Sequence, residues 1–256
     1  MDFIDLLAGG RPFMGTFLQS ASPEFLEASA YAGFRFAAVD LEHASFGAET
    51  LVHLLRAGEG TGLAMLARVP GLDASCIKKS LDMGASGIIV PNIDIPEQAR
   101  EAVSLCRFTP EGVRGACPGV RANRYGAGGS EYYAAANRRT AVIPLIESPA
   151  GVENFDEILR VPGVNAVFLG PIDLSVALGL KGDIDNPRVK EMLLGCVCRA
   201  KAAGIPVGAL AMDTGFIREL FDAGLSFLAY GIDTILMYRA CKAIREQVST
   251  VVPKLN

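Results

Sequence analysis

Tryptophan is absent from this sequence of 256 residues, histidine occurs only twice, and the six cysteines form no Cys-x-x-Cys pair. The sequence therefore has no zinc-binding pattern, and its scattered cysteines are typical of reduced thiols in a cytoplasmic protein. A net charge of −4 lacks the basic character of a nucleic-acid-binding protein. Acidic residues at positions 2 and 5 argue against a secretory signal, and no apolar run reaches the length of a membrane span. We expect a cytoplasmic protein without nucleic-acid or membrane partners.

Apolar residues make up half of the sequence and charged residues a fifth, which suits one sizeable core. Eight short apolar segments recur along the chain and hardly alternate with polar residues, as is typical of parallel strands covered on both faces. These predicted strands are 13–18, 36–41, 64–69, 87–90, 141–146, 166–169, 207–211 and 227–230.

Amphipathic stretches separate the predicted strands, and capping signatures mark where several helices begin. These signatures stand at Ser22, Asp73, Ile95, Asn186 and Asp213, and further helices are predicted at 49–57 and 232–248. Eight strand–helix units in this length predict an α/β fold, a single (β/α)8 TIM barrel covering residues 1–256. No GxGxxG follows the first strand, so a dinucleotide-binding fold is not indicated. The long connection 108–137 is rich in arginine and glycine, which is typical of a functional or interfacial loop.

Charged and titratable residues stand where four of the predicted strands end. Asp40 and His43 follow the second strand, Arg68 the third, Glu147 the fifth and Asp173 the sixth. Active sites of such barrels lie at the carboxyl ends of the strands. Two carboxylates from neighbouring strands suit a hard cation such as Mg²⁺ or Mn²⁺, which a 2-oxo acid can chelate through its carboxylate and ketone oxygens. The sequence therefore predicts metal-assisted carbon–carbon bond chemistry next to a 2-oxo acid.

In this interpretation Arg68 supplies a fixed positive charge to the developing enolate oxygen. His43, oriented by Asp40 or Glu42, moves protons directly or through water. The rival route to the same carbanion is a lysine Schiff base, which in a barrel would project from a strand. None of the seven lysines falls in a predicted strand, and this favours the metal.

Each candidate also has a purely structural interpretation. Glu147 could favour the N-terminus of the following helix, and Asp173 could cap a short helix ending at position 178. Arg68 could form a surface salt bridge, and His43 could be a structural histidine. The placement of all four at one end of the barrel favours the functional interpretation.

Short motifs spread over nearly the whole chain carry a family resemblance. In chain order they are Ala32-Gly33-Phe34, Val39-Asp40-Leu41-Glu42-His43, Ala67-Arg68-Val69-Pro70, Met83-Gly84-Ala85, Val90-Pro91, Pro110-Glu111-Gly112-Val113-Arg114-Gly115, Arg121-Ala122-Asn123-Arg124-Tyr125-Gly126, Ile146-Glu147, Gly151-Val152-Glu153-Asn154, Gly170-Pro171-Ile172-Asp173-Leu174-Ser175 and Gly231-Ile232-Asp233-Thr234. Together they resemble the HpcH/HpaI aldolase family of metal-dependent (class II) pyruvate aldolases, which includes 4-hydroxy-2-oxoheptanedioate and 2-dehydro-3-deoxy sugar-acid aldolases. The resemblance implies a TIM barrel of the phosphoenolpyruvate/pyruvate type. It also implies a lyase that cleaves or forms a bond of a 4-hydroxy-2-oxo acid through a pyruvate enolate, releasing pyruvate and an aldehyde.

The resemblance also implies roles for particular residues. Glu147 and Asp173 would bind a divalent cation (Mg²⁺ or Mn²⁺, with Co²⁺ as a further option), and Arg68 would contact the pyruvyl oxygen. His43, paired with Asp40, would be the acid–base group. Backbone amides would hold the pyruvate carboxylate at Gly170, Pro171, Ile172 and Asp173. The family further implies a homohexamer, a dimer of trimers, in which the last helix (about 232–248) is swapped onto a neighbouring subunit.

Two departures from the family pattern fall in regions that we expect to line the substrate cavity. Leu145 stands where many family aldolases carry a glutamine, and the segment 116–119 is one residue shorter than the usual glycine/serine run. They leave open a citrate-synthase-like, CoA-ester lyase or oxaloacetate decarboxylase activity within the same superfamily. A barrel that has lost catalysis is a further alternative.

Overall fold

The computed structural model describes residues 2–252, which form a closed barrel of eight parallel strands. Each strand pairs with the next along the chain, and the last pairs with the first. The strands are β1 (Phe13–Leu18), β2 (Phe36–Asp40), β3 (Ala64–Arg68), β4 (Gly87–Val90), β5 (Ala141–Ile146), β6 (Val167–Leu169), β7 (Val207–Ala211) and β8 (Phe227–Ile232). The predicted (β/α)8 barrel is confirmed, and each strand lies close to its predicted bounds.

Helices occupy most of the connections between the strands. They are α1 (Phe3–Ala8), α2 (Pro23–Tyr31), α3 (Ala48–Gly60), α4 (Ala74–Asp82), α5 (Pro96–Cys106), α6 (Glu131–Arg139), α7 (Pro149–Glu153), α8 (Phe155–Leu159), α9 (Pro171–Ala177), α10 (Pro187–Ala203), α11 (Ile217–Ala223) and α12 (Asp233–Val251). Within residues 2–252, no helix is both long enough and apolar enough to traverse a bilayer.

Capping chemistry explains where most of these helices begin. The side chains of Ser22, Asp73 and Asn186 each accept hydrogen bonds from backbone N–H groups of the first turn, as predicted. The prediction for Asp213 is wrong, because α11 begins at Ile217. The Asp213 carboxylate instead accepts a hydrogen bond from the backbone N–H two residues further on, which stabilises a turn rather than a helix.

Two regions differ from the expectation in other ways. Helix α1, which precedes the first strand, was not predicted, since it is only six residues long. The connection 108–137 is not one irregular loop, because it contains a 3₁₀ segment (Arg121–Gly126) and most of α6. Within the 3₁₀ segment, Arg124 and Tyr125 adopt left-handed backbone conformations, which break the helical geometry.

The interior of the barrel is filled by inward-facing residues, which alternate along each strand with residues that face the helices. At the amino end of the strands, the rings of Phe3, Phe13, Phe36 and Phe227 pack together with centroids 5.2–5.8 Å apart. This phenylalanine cluster includes Phe3 from α1, so the short helix closes the amino end of the barrel.

Two glycines make room for the phenylalanine cluster inside the barrel. A Cβ atom at Gly15 would lie 2.4 Å from a ring carbon of Phe36, and one at Gly208 would lie 2.1 Å from a ring carbon of Phe227. Any side chain at these strand positions would collide with a fully buried ring. The aromatic packing at the amino end therefore requires glycine in the neighbouring strands.

Helix α12 does not cover the barrel as the other helices do. Its Met237, Tyr238, Ile244 and Val251 are 42–80% exposed. Meanwhile an apolar groove of about 1070 Å³ lies open on the outer side of β8 and β1, with wall residues from α11. In this chain, the last helix and the groove beside the first and last strands are therefore both left largely uncovered.

Candidate active site

The inward alternation of the strands delivers charged groups to the carboxyl end of the barrel. Phe36 and Ala38 face inward on β2, so Asp40 also faces inward. The same count on β3, through Ala64 and Leu66, leads to Arg68, which is the register partner of Asp40. Both side chains therefore meet at the open end of the barrel, on neighbouring strands.

Asp40 and Arg68 form a bidentate ion pair. The Arg68 Nε and Nη2 atoms donate hydrogen bonds of 3.0 and 2.7 Å to the two carboxylate oxygens of Asp40. The guanidinium also lies 3.4 Å from the Glu42 carboxylate and 4.9 Å from the centroid of the Phe17 ring. Arg68 is thus not a surface salt-bridge partner, because its side chain is only 12% exposed and is held on three sides.

The Asp40 carboxylate is fully buried and accepts hydrogen bonds from four residues. Besides Arg68, these are the side-chain amide of Gln19 at 2.8 Å and the backbone N–H groups of Glu42 and His43. Burial by itself would raise the pKa of Asp40, but the Arg68 and Gln19 hydrogen bonds and the Arg68 charge outweigh it, so the pKa is lowered. Asp40 is therefore an anion with its acceptor positions occupied.

Glu147 lies across the barrel at the end of β5 and is 7% exposed. Its Oε1 atom accepts a 2.9 Å hydrogen bond from the backbone N–H of Asn92, which has a left-handed backbone conformation with φ 57°. A Cβ atom at Gly170 would lie 2.9 Å from Glu147 Oε2. Glycine at position 170 therefore gives the carboxylate its space.

Negative charge accumulates around Glu147. The pKa of Glu147 is raised to about 7, mainly by burial; the Asn92 N–H opposes this rise, and the carboxylates of Asp173 and Glu42 contribute to it. Asp173 lines the same cavity from the first turn of α9. A divalent cation between Glu147 and Asp173 would offset this repulsion, and carboxylate oxygens are the ligands that Mg²⁺ and Mn²⁺ prefer, so the residues present fit such a cation.

The protein supplies only part of a coordination shell at this position. No group of three or more Asp, Glu, His or Cys side chains within residues 2–252 is arranged to hold a metal by itself. A cation bound by Glu147 and Asp173 would therefore keep positions for water and for oxygens of a substrate.

His43 lies at the mouth of the cavity and its side chain is 58% exposed. Its imidazole Nε2 is 3.7 Å from the Glu42 carboxylate, whereas its only hydrogen bond to Asp40 comes from the backbone N–H. The structure therefore pairs the imidazole with Glu42, which was one of the two orienting residues considered from the sequence. Asp40 instead orients Arg68.

The turn between β6 and α9 contains the four residues expected to bind a carboxylate through their amides. Pro171 has no N–H, and the Gly170 N–H donates to the carbonyl of Ile146 at 2.9 Å. The N–H groups of Ile172 and Asp173 belong to the first turn of α9, where no intrahelical acceptor exists. The expected donor set is thus reduced from four residues to these two. Gly170, not Asp173, is the N-cap of this helix, so the capping alternative for Asp173 is wrong.

A cavity of about 210 Å³ joins these groups at the carboxyl end of the barrel. Arg68, Glu147 and Asp173 line it together with apolar side chains that include Leu145 and Phe168. The described lysines are absent from its lining. Leu145 therefore does line the cavity, as expected from the sequence.

The second departure from the family pattern lies elsewhere. Segment 116–119 does not line this cavity within the chain, so that expectation is wrong. The flanking Arg114 and Arg121 bind Asp82 and the carbonyl of Met83, at the end of α4. That end of α4 leads into β4, so the segment is anchored near the amino end of the barrel.

Three residues that line the cavity or hold its charged groups were missed in the sequence. Gln19 follows Phe13, Gly15 and Phe17 by the same step of two, so counting inward positions along β1 would have found it. Phe17, under the Arg68 guanidinium, would have been found in the same way. Asn92 acts through its backbone N–H, and no residue-type pattern indicates that.

Comparison with known proteins identifies the family of this chain and relatives with the same fold. The HpcH/HpaI aldolase/citrate lyase family model matches residues 14–240. The chain belongs to this family. Its relatives include a 2-dehydro-3,6-dideoxy-6-sulfogluconate aldolase of Pseudomonas putida, 37% identical over 88% of each chain. A hydroxypyruvate/pyruvate aldolase of Deinococcus radiodurans is also 37% identical, over 94% of this chain and 87% of the relative. Among solved structures, an HpcH/HpaI aldolase/citrate lyase family protein from Burkholderia cenocepacia has a TM-score of 0.89 at 34% identity, covering 95% of this chain and 96% of that one.

Proposed function

We propose that this protein is a class II, divalent-metal-dependent aldolase. It cleaves or forms the C3–C4 bond of a 4-hydroxy-2-oxo acid, with pyruvate and an aldehyde as the products of cleavage. The observation that carries the proposal is the single cavity in which Arg68, Glu147 and Asp173 meet. The aldolases among the relatives support the reaction class.

Glu147 and Asp173 would hold the cation, which we propose to be Mg²⁺ or Mn²⁺, with Co²⁺ as a further option. When bound, it would supply Lewis-acid polarisation to the oxygens of a 2-oxo acid. The Asn92 N–H fixes one oxygen of Glu147 and leaves the other for coordination. The free first-turn N–H groups of Ile172 and Asp173 would bind the substrate carboxylate.

Arg68 would stabilise the negative charge that develops on the ketone oxygen of the substrate. Asp40 and Glu42 hold its guanidinium in place, so little reorganisation is needed during the reaction. His43 would transfer the proton of the C4 hydroxyl group, because it is the titratable group at the cavity mouth and Glu42 lies beside its imidazole. Asp40 would act on His43 only through the hydrogen bond that its carboxylate accepts from the His43 backbone N–H.

The first experiment needs no knowledge of the aldehyde. Chelator-treated protein is incubated with pyruvate in D₂O, with and without Mg²⁺ or Mn²⁺, and loss of the methyl proton signal is followed by NMR. We expect exchange only with metal, since the enolate forms without an aldehyde. Absence of exchange with every metal would contradict the aldolase proposal.

A second candidate function is decarboxylation of oxaloacetate, which yields the same pyruvate enolate. Leu145 favours keeping this candidate, because an apolar side chain occupies the cavity wall where many family aldolases place a glutamine. Metal-dependent release of CO₂ from oxaloacetate, combined with no aldol addition to any aldehyde tested, would assign this reaction instead.

We also propose that the protein is a cytoplasmic homo-oligomer, a hexamer built as a dimer of trimers, in which α12 is swapped between subunits. Residues of α12 form an apolar stripe spaced alternately by four and three positions: Met237, Cys241, Ile244, Val248 and Val251. The open groove beside β8 and β1 has a matching apolar character and includes Met14, Ile217 and Phe221. A second copy of α12 is the occupant that we propose for this groove.

Light scattering after size-exclusion chromatography tests the proposed assembly. Ile244→Glu introduces a charge into the stripe and is expected to shift the particle to smaller species. Lys242→Gln, on the opposite side of the helix, changes the net charge equally and should leave the mass unaltered. Equal masses for Ile244→Glu and the unmodified protein would argue against the swapped helix.

A further inference from the structure

Gln19 is an uncharged polar side chain at the β1 end of the cavity. Gln19 follows the last residue of β1 and lines the cavity together with Arg68, Glu147 and Asp173. Its backbone is firmly placed, because the Gln19 N–H donates a 2.8 Å hydrogen bond to the fully buried carboxylate of Asp233, at the start of α12. The neighbouring Ser20 N–H donates to the other oxygen of that carboxylate at 3.0 Å.

The orientation of the Gln19 amide follows from its partner. The side-chain nitrogen lies 2.8 Å from Asp40 Oδ2. Asp40 is ionised in its pair with Arg68 and can only accept hydrogen bonds. The NH₂ group must therefore face Asp40, and the flipped amide is excluded because it would place two oxygens in contact.

The amide oxygen of Gln19, Oε1, therefore does not take part in the contact with Asp40. Within residues 2–252, it has no hydrogen-bond partner in the protein. The other side-chain oxygens among the residues that line this cavity are the carboxylates of Glu147 and Asp173, which are assigned to a cation. Gln19 Oε1 is consequently an uncharged acceptor on the cavity wall, free for a ligand.

A free amide oxygen selects the chemistry of what binds it. It accepts a hydrogen bond from a hydroxyl group, whereas it repels a carboxylate, a sulfonate or a carbonyl oxygen. The cavity, at about 210 Å³, is smaller than the roughly 300 Å³ at which pockets for drug-sized ligands begin. The suitable ligand is therefore a molecule of few carbon atoms with a hydroxyl group on the part that approaches β1.

We infer that Gln19 has two separate roles in the proposed aldolase reaction. Its NH₂ group positions Asp40, and through Asp40 the Arg68 guanidinium. Its Oε1 atom accepts a hydrogen bond from the hydroxyl group of a short α-hydroxyaldehyde, the second substrate in the direction of addition. This inference rests on the proposed aldolase function, and it adds Gln19 as a positioning residue and as the residue that recognises the hydroxyl group of the aldehyde.

Two aldehydes that differ by one hydroxyl group test the acceptor role. The kcat/KM for metal-dependent addition of pyruvate is measured with glycolaldehyde and with acetaldehyde. We expect the unmodified protein to prefer glycolaldehyde. Gln19→Met, which keeps the length of the side chain but lacks the acceptor, should reduce that preference about tenfold. A preference that stays unchanged in this variant would overturn the acceptor role, as would the absence of preference in the unmodified protein.

Gln19→Glu separates positioning from acceptance. Its carboxylate retains an acceptor oxygen but cannot donate to Asp40 while both are ionised. We expect pyruvate proton exchange, which involves no aldehyde, to slow by about tenfold, with the preference for glycolaldehyde largely kept. Unchanged exchange in this variant would overturn the positioning role. Failure of the aldolase proposal itself is distinguishable, because the unmodified protein would then show no metal-dependent exchange.

Discussion

The two ends of this barrel are lined by different classes of residue, aromatic at the amino end and charged at the carboxyl end. At the amino end, the phenylalanine cluster and helix α1 close the interior with aromatic rings, and neighbouring glycines make room for them. At the carboxyl end, the same inward positions hold Asp40, Arg68 and Glu147 beside a cavity. Burial of apolar surface at one end stabilises the fold, while burial of charge at the other costs stability and prepares groups for chemistry.

Removal of a proposed metal ligand at the carboxyl end should cause the largest loss of activity. Glu147→Ala or Asp173→Ala is expected to lower metal-dependent pyruvate exchange by about a thousandfold or more, since the cation contributes several kcal/mol of charge stabilisation. The thermal unfolding temperature should fall little, because two mutually repelling carboxylates are reduced to one. Asp156→Ala, at an outer ion pair with Arg199, is the control. Full activity of either ligand variant after chelation would exclude the metal assignment.

Truncation in the phenylalanine cluster should have the opposite effect: it should lower stability and leave activity per folded molecule unchanged. Phe36 is fully buried and contacts three other rings of the cluster. Phe36→Ala is expected to lower the free energy of unfolding by about 3–5 kcal/mol in urea titrations, whereas Phe36→Leu should cost less. Activity per folded molecule should persist in both. If Phe36→Ala lowered kcat as strongly as the metal-ligand variants do, without destabilising the protein, the amino end would also contribute to activity and the proposed division between the two ends would be wrong.

Arg68→Ala sharpens the comparison, because this side chain both carries charge and packs on Phe17. We expect kcat to fall by roughly a hundredfold if Arg68 stabilises the enolate oxygen. Arg68→Lys keeps a charge but cannot form the bidentate pair with Asp40, so it should recover only part of the activity. An increase in KM at constant kcat would mean that Arg68 binds ground state and transition state equally.

The smallest expected effect concerns the acid stability of the carboxyl end. The pKa of Asp40 is lowered in the folded protein from 3.8, so its ionised form stabilises the fold above that pH, and this contribution is lost as the pH falls through the lowered value. Asp40→Asn should cost about 2 kcal/mol near neutral pH. The difference from the unmodified protein should shrink below pH 3.8, as measured by urea unfolding from pH 6 to pH 3. A difference that does not depend on pH would contradict the lowered pKa.

Much of the barrel could be read from the sequence because its strands are covered on both faces and its helices begin at strong capping residues. Asp213 misled because an aspartate can stabilise a turn as well as a helix start, and the two uses look alike in sequence. The candidate site residues could be proposed from their positions after strands. The side chain that each of them contacts could not be predicted, because it depends on the register between neighbouring strands. The register of β2 and β3 places Asp40 opposite Arg68, whereas the His43 imidazole lies beside Glu42.

The contribution of Gln19 was within reach of the sequence, whereas that of Asn92 was not. Gln19 continues the inward positions of β1, and a strict count of two along each strand indicates it. Asn92 contributes a backbone N–H whose direction depends on a left-handed conformation. Side-chain identity carries no information about such a donor.

The two glycines beside the phenylalanine cluster differ in how this sequence can change over time. The atoms nearest to a Cβ atom at Gly208 would be ring carbons of Phe227, so the two residues share one volume. A larger residue at position 208 becomes tolerable only after the ring at position 227 has shrunk, and related chains that differ at position 208 should differ at position 227 as well. A Cβ atom at Gly15 would also lie 2.2 Å from the backbone oxygen of Phe36, which every residue type carries, so position 15 should remain glycine whatever stands at position 36.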